Sequence, residues 1–385
     1  MLRLPARTLK KRHRAAWTSA LLAACLAGCV SDAPNKVHLQ SWGYASWWLP
    51  PEIGDLRASK FDRLAFFEIE LDASGGIANP HGWPRAYSRL REATARLQIP
   101  LDATVTLRGR QNFESLFGSP EAVDRLLATC LGLVEEDPFL LGLQLDFEHY
   151  DESSPRSLDA LRAFVPRLAR ALHALSPRRQ LSVFVPTGGP PLYDADSLAE
   201  VDWAVMQAYD AHWITGPDAG PVAPLDGPER VTWVKVWQDA RALRIPPERV
   251  VMSFPLYGYE WPVLSRDARG LSAGPAVTTT LARVRAHPLP EMAGNVDERV
   301  QQHGCRHDAL AGSSNYLYLD PVRGWVSGWY EGAWSLSRKR DFLVRHGLAG
   351  IAFFIAGYDD YALTPRLDRA RVAHALEPAD SAPCR

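Results

Sequence analysis

Short apolar, β-branched or aromatic runs recur along the chain, and longer amphipathic stretches separate them. Eight of these runs read as strands: Lys36–Gln40, Leu64–Ile69, Leu101–Thr106, Leu140–Phe147, Gln180–Val185, Trp203–Ala208, Val250–Pro255 and Gly350–Ile355. Between them the apolar period lengthens to that of a helix. Ser119-Pro120-Glu121 predicts an N-cap, a proline at the first helical position and an acid in the first turn. Val123, Leu126, Leu127, Cys130 and Val134 then keep to one face. From Ser157 onward, Leu158, Leu161, Phe164, Val165, Leu168, Leu172 and Leu175 recur at helical spacing, and Pro166 is expected to kink this run or delay its start. Val231, Val234 and Trp237 mark another helix, and Ser337–His346 closes on Gly347, a residue suited to the left-handed position after a helix. Eight strands interleaved with helices predict an α/β chain folded as a parallel (β/α)8 TIM barrel over residues 37–375. Residues 262–330 are too long for a simple connection and read as an insertion after strand seven.

Side chains alternate along a strand, so in Leu141-Gly-Leu-Gln-Leu-Asp-Phe-Glu148 the set Gln144, Asp146 and Glu148 faces one way and Leu143, Leu145 and Phe147 the other. In a barrel the apolar set packs on the helices and the polar set points inward. Unpaired inward carboxylates cost several kcal/mol. They are placed at the C-terminal end of strand four, where barrels build their sites. Residues i and i+2 lie ~6–7 Å apart, and neighbouring carboxylates repel, so one tends to keep its proton near neutrality. That suits Glu148 as a general acid with Asp146 behind it.

Composition narrows the class. Residues 1–28 hold six basic residues (Arg3, Arg7, Lys10, Lys11, Arg12, Arg14) and no acid, whereas from Cys29 onward 37 basic residues face 44 acidic ones. A body this acidic is a poor partner for nucleic acid. The basic start, the uncharged stretch Ala15–Ala27 and then Leu26-Ala-Gly-Cys29 have the shape of a secretory signal, and their end resembles the lipobox of bacterial lipoproteins. The expectation is a leader over 1–28, lipidation of Cys29 as an anchor in the bacterial cell envelope, at the outer membrane and facing the periplasm or the surface, a tether over 29–36 and a tail over 376–385. Cys130, Cys305 and Cys384 then remain, an odd number that sets no disulfide framework. His303-Gly-Cys305-Arg-His307 reads as a surface loop rather than a metal site. The 13 Trp and 12 Tyr suit a sugar-binding groove as well as a large core. The sequence holds no Walker loop, no dinucleotide fingerprint and no G-x-S-x-G elbow.

The strand-four segment resembles the D-x-x-D-x-D-x-E signature of glycoside hydrolase family 18, the chitinase family. Gln207-Ala-Tyr209-Asp210 is similar to the family motif that ends strand six, and Gly350-Ile-Ala-Phe-Phe354 to its strand-eight motif. Asp210-Ala-His-Trp213, Gly220-Pro-Val-Ala-Pro224 and Ser253-Phe-Pro-Leu-Tyr257-Gly-Tyr259 resemble the branch that contains spore-cortex-lytic N-acetylglucosaminidases. The resemblance implies Glu148 as acid/base, Asp146 as partner of the substrate's acetamido group and Tyr209 as donor to its carbonyl. It implies no metal and no cofactor. Two acids on one strand do not flank a sugar ring from opposite faces, so the nucleophile is left to the substrate's own N-acetyl oxygen. Substrate contacts are expected from Gln144, Gln207, Asp210, Trp213, Tyr257, Trp261, Phe354 and Trp42, with Trp47 and Trp48 as further subsite candidates. The signature's first Asp is Leu141 and its second is Gln144 here. The family's strand-eight Trp is matched by Phe354, a smaller ring without the indole N–H.

Two alternatives stay open at this point. Glu148 with Glu260, just after strand seven, has the strand spacing of a conventional retaining pair. A dead barrel that only holds a glycan is the other, although lectin-like members of the family typically lose the terminal Glu. Peptidoglycan fragments and chitin oligosaccharides both fit as the glycan, and the oligomeric state is left open.

Overall fold

A computed structural model describes residues 38–49, 60–281 and 292–363, and among them the barrel is complete. Its strands are β1 (Gln40–Ser46), β2 (Arg63–Leu71), β3 (Leu101–Arg108), β4 (Gly142–Glu148), β5 (Gln180–Val185), β6 (Trp203–Met206), β7 (Val250–Pro255) and β8 (Gly350–Phe354). Each pairs in parallel with the next, and β8 closes the ring on β1. The expected leader over 1–28, the expected lipidation site Cys29, the expected tether over 29–36 and the expected tail over 376–385 lie outside the described residues.

The first strand corrects the expectation of Lys36–Gln40. It runs from Gln40 because Trp42 and Tyr44, alternating with Gly43 and Ala45, fill the barrel interior. The outer layer holds α1 (Ser88–Leu97), α2 (Arg110–Phe117), α3 (Pro120–Glu136), α4 (Pro155–His173), α5 (Trp233–Ala242) and, after the insertion, α7 (Ala333–His346). The Ser119 hydroxyl accepts from Ala122 N–H at 3.2 Å, and Pro120 opens α3. Helix α4 starts at Pro155 and runs on through Pro166, so its start is not delayed. Phe164, Val165, Leu168 and Leu172 are buried along it, and that stripe outweighs the missing Pro166 N–H bond. Its first turn is gripped by Glu114, which accepts from Ser154 N–H and from the Ser154 and Ser157 hydroxyls at 2.6–2.7 Å. Those hydroxyl bonds hold the Glu114 carboxyl down at about 2. Gly347 ends α7 in the left-handed region at φ 66°.

Between β7 and α7 the chain leaves the barrel as a six-stranded sheet, whose central strand Tyr257–Val263 follows β7 directly after Leu256. Antiparallel neighbours of that strand are Val277–Thr280 and Gly324–Tyr330, and the helix α6 (Val296–His303) belongs to the same insertion. A buried pair ties this sheet to α7. Lys339 on α7 donates to Glu331 at 2.6 Å and to the Gly312 carbonyl at 3.0 Å, with neither side chain exposed.

The barrel floor is polar as well. Arg63 makes bonds of 2.7 and 2.6 Å to the two oxygens of Asp102 and a further short bond to Gln180. Trp42 lies at this level, its Nε1 on Gln40 at 2.9 Å, its ring edge-on to Trp203 and under the Arg63 guanidinium. This corrects its assignment to substrate: Trp42 is sealed, 1% exposed, at the end of the barrel opposite the carboxylates.

Candidate active site

The parallel register of β3 on β4 decides what each inward β4 residue meets. Thr104 lies beside Gln144, Thr106 beside Asp146 and Arg108 beside Glu148. Leu143, Leu145 and Phe147 are fully buried, and Phe147 packs on Phe117 of α2 with ring centroids 5.8 Å apart, so this face of β4 looks toward the helices. The polar face looks into the barrel. Its carboxylates end in a cavity of about 210 Å³ lined by Asp146, Glu148, Gln207, Tyr209, Asp210, Tyr257 and Phe354, among others.

Each side chain there has a physical setting. Burial raises the proton affinity of Glu148 so that it titrates at about 7; the Arg108 charge opposes this, and Asp210 and Glu68 reinforce it. Asp146 lies deeper. Burial and then the Glu148 charge hold its carboxyl well above the ordinary range. Its Oδ1 is buried without a hydrogen-bond partner among the described residues. Asp210 accepts from the Tyr257 hydroxyl at 2.6 Å and the Tyr259 hydroxyl at 3.3 Å; burial nonetheless lifts it to about 6. Both tyrosines belong to the inserted sheet. Gln207 donates to the Tyr150 hydroxyl at 2.8 Å and accepts from Thr187 N–H at 3.1 Å, so its amide is fixed. Burial holds the Tyr209 hydroxyl well above a free phenol, which leaves it a neutral donor. Its ring stacks on Phe354, centroids 5.9 Å apart and planes 22° from parallel. Tyr44 and Phe67 close edge-on around Phe354 at 5.5 and 5.1 Å, and Trp48 is anchored by its Nε1 on the Tyr358 hydroxyl at 2.8 Å. The result is an aromatic cup beneath an acid.

A second cavity, about 540 Å³, shares Tyr150, Gln207, Tyr209 and Asp210 with the first and adds Thr187, Gly188, Trp213, Arg230 and Val231. Trp213 stands at its rim, 47% exposed. The two cavities form a continuous groove across the barrel mouth.

Two expected substrate contacts and two further candidates fall elsewhere. Gln144 lies a layer below the cavity, accepting from Thr104 and donating to Ser182 at 3.4 Å, and acts as barrel filling. Trp261 is fully buried in the inserted sheet with its Nε1 on the Trp213 carbonyl at 3.3 Å. Glu260, the alternative partner of Glu148, does not line the groove, being fully buried between Arg299 and Arg323. Trp47 stacks on His81 at 4.1 Å and donates to Glu68. The stretch around Cys305 is also settled. His303 stacks on Tyr318, His307 stacks on Trp334 and bonds Ser314, and Cys305 is disulfide-bonded, a cross-link that cysteine parity did not foretell. Among the described residues only Glu68, Glu70 and His81 bring three ligand-type atoms within 4.8 Å of one another, and the Arg108 guanidinium already pairs with Glu68 at 2.5 Å.

Sequence reading missed Tyr44, Arg108, Tyr150 and Phe184 in the groove. Tyr150 continues the alternation of Gln144, Asp146 and Glu148, and Phe184 shares the inward face of β5 with Ser182; both signals were present. Arg108 had none, since a cross-strand register brings it there.

Known proteins resemble this chain in sequence and in fold. The chain is 28% identical over 281 residues to Probable chitinase 10 of Drosophila melanogaster, a match covering 65% of this chain and 11% of that protein. It is 24% identical over 157 residues to the cortical fragment-lytic enzyme of Bacillus anthracis, covering 41% of this chain and 32% of that enzyme. The chain thus spans only a part of the length of these relatives. The crystal structure of a chitinase from Chromobacterium violaceum superposes with a TM-score of 0.69 at 20% identity, over 87% of this chain and 99% of that one. Residues 85–359 match the family described as Glycosyl hydrolases family 18, and with the barrel and its carboxylates in place the chain belongs to that family.

Proposed function

We propose that this protein is a retaining glycoside hydrolase that cleaves β-1,4 bonds at N-acetylglucosamine with the help of the substrate's own acetamide. Glu148 protonates the leaving glycosidic oxygen. The acetamido carbonyl oxygen then attacks the anomeric carbon. Asp146 accepts the acetamido N–H and offsets the positive charge of the cyclic intermediate, and the Tyr209 hydroxyl donates to the acetamido oxygen. Glu148, now a carboxylate, takes a proton from water as that water opens the ring, so configuration is retained. Phe354 floors the reacting sugar. The observation that carries this reading is the buried, unpartnered Oδ1 of Asp146 in the same cavity as an acid poised at about 7. Glu260, paired with Arg299 and Arg323, supplies no conventional nucleophile, which leaves that role to the substrate's acetamide.

The glycan proposed is peptidoglycan or its fragments, with chitin oligosaccharides as the alternative. The envelope address read from residues 1–28, with a lipid on Cys29, belongs to the proposal and favours peptidoglycan. The test is incubation with peptidoglycan fragments and chitin oligomers side by side, products read by mass, with and without a thiazoline that mimics the cyclic intermediate. Cleavage blocked by the thiazoline is expected. Cleavage indifferent to it overturns substrate assistance, and binding without any cleavage leaves a lectin.

A further inference from the structure

The larger cavity holds one cation, Arg230, with no acid to neutralise it. Arg230 is exposed at the cavity wall and forms no hydrogen bond or ion pair among the described residues. Other arginines near the groove are committed: Arg108 to Glu68, and Arg269 to Glu229 and Asp308. Glu229, the residue next to Arg230, is buried with one oxygen on Arg269 at 2.5 Å and makes no ion pair with Arg230. Asp210 lines the same cavity but is bonded by Tyr257 and Tyr259 and lies beyond ion-pair distance of Arg230. Space for Arg230 is made by Gly188 (φ 78°), where a Cβ would stand 2.8 Å from Val231 and 3.4 Å from the Arg230 Nε. Trp213 offers an exposed ring across the same cavity.

The smaller cavity accepts one sugar over Phe354, and the shared Tyr150 and Gln207 lead directly into the larger one. An arginine with a free planar fork in the same cavity as an exposed aromatic ring suits a sugar that carries a carboxylate. We infer that Arg230 binds a carboxylate on the sugar unit adjoining the cleaved N-acetylglucosamine, and so selects an acidic, lactyl-bearing glycan over a neutral one. This deepens the hydrolase reading and rests on it for where the cleaved sugar sits. In a glycan that alternates N-acetylglucosamine with its 3-O-lactyl derivative, either neighbour supplies the group. The carboxylate has two sources, the free lactyl ether and a peptide attached to it.

Binding by the Glu148→Gln protein tests this without turnover, measured by calorimetry with and without Arg230→Gln. The probes are the disaccharide with a free lactyl carboxylate, the same disaccharide with L-alanyl-D-glutamate on the lactyl group, and neutral N,N′-diacetylchitobiose. The acidic-to-neutral affinity ratio should fall roughly tenfold on loss of Arg230, the scale of a charge-assisted bond. Arg230→Lys should restore part of it. A fall for the first probe assigns the lactyl carboxylate, and a fall for the second alone assigns the peptide. An unmoved ratio, or failure of all three to bind, overturns the inference. Wild-type turnover on the same compounds is read separately: no turnover with a moving ratio removes the hydrolase and keeps the arginine site, whereas turnover with an unmoved ratio does the reverse.

Discussion

Two glutamates, 148 and 260, sit in the two halves of this chain and meet opposite fates. Glu260, in the inserted sheet, is sealed from water, and each of its oxygens takes two donors. Oε1 accepts from Arg299 at 2.8 Å and Tyr316 at 2.9 Å, and Oε2 from Arg323 at 2.8 Å and Tyr318 at 3.2 Å. Glu148, at the barrel mouth, is half-buried beside one cation already engaged by Glu68, and burial drives it up to about 7. Desolvation penalises both carboxylates. Whether donors are supplied decides which becomes a strut and which holds a proton to give away. The inserted sheet also lends Tyr257 and Tyr259 to Asp210, so it shapes the groove without placing Glu260 in it.

The comparison breaks first under substitution. Glu148→Gln should lower turnover of an N-acetylglucosaminide by about 10³-fold or more, measured in single-turnover kinetics, while binding persists. Glu260→Gln should leave turnover per folded molecule intact yet cost about 3 kcal/mol in a denaturant titration, because two guanidiniums lose their counter-charge. If Glu260→Gln abolished turnover and kept stability, the two roles would be reversed.

Titration sharpens the contrast. As the general acid, Glu148 must be protonated, so kcat/KM should fall about tenfold per pH unit above about 7. The same group affects folding. A carboxyl that binds its proton more tightly folded than unfolded favours the fold at acid pH, and that contribution disappears as pH rises from 4.5 to about 7. Glu148→Gln should therefore gain stability on the parent across that window, by about 1–2 kcal/mol once solvent screening is counted. The smallest effect concerns Arg108, whose charge lowers the proton affinity of Glu148. Arg108→Gln should move the alkaline limb of the profile upward by about half a pH unit.

Much of the barrel was legible because strand and helix periods are local. β5 and β7 have the bounds their apolar runs predict. The inward face of β4 follows from alternation alone, and the cap at Ser119 from three adjacent residues. What was not legible depends on position along the barrel axis and on partners far away in the chain. An inward Trp42 reads the same whether it seals the floor or lines the mouth; only its neighbours Arg63 and Trp203 decide. Trp261 and Glu260 were candidates for the site because they follow β7, but a sheet built from residues up to Tyr330 buries them. Gln144 shares a face with Asp146 and still misses the groove, being one step lower.

The ammonium of Lys339, resting over the rings of Trp233 and Phe254 at 5.9 and 5.8 Å, has its counter-charge on Glu331 at the last edge of the insertion. Excising the insertion to make a minimal barrel would strand that charge in an apolar bed, at a cost no loop repair recovers. Trimming this fold thus requires a change in α7 at the same step, which makes the extra sheet hard to lose by gradual deletion.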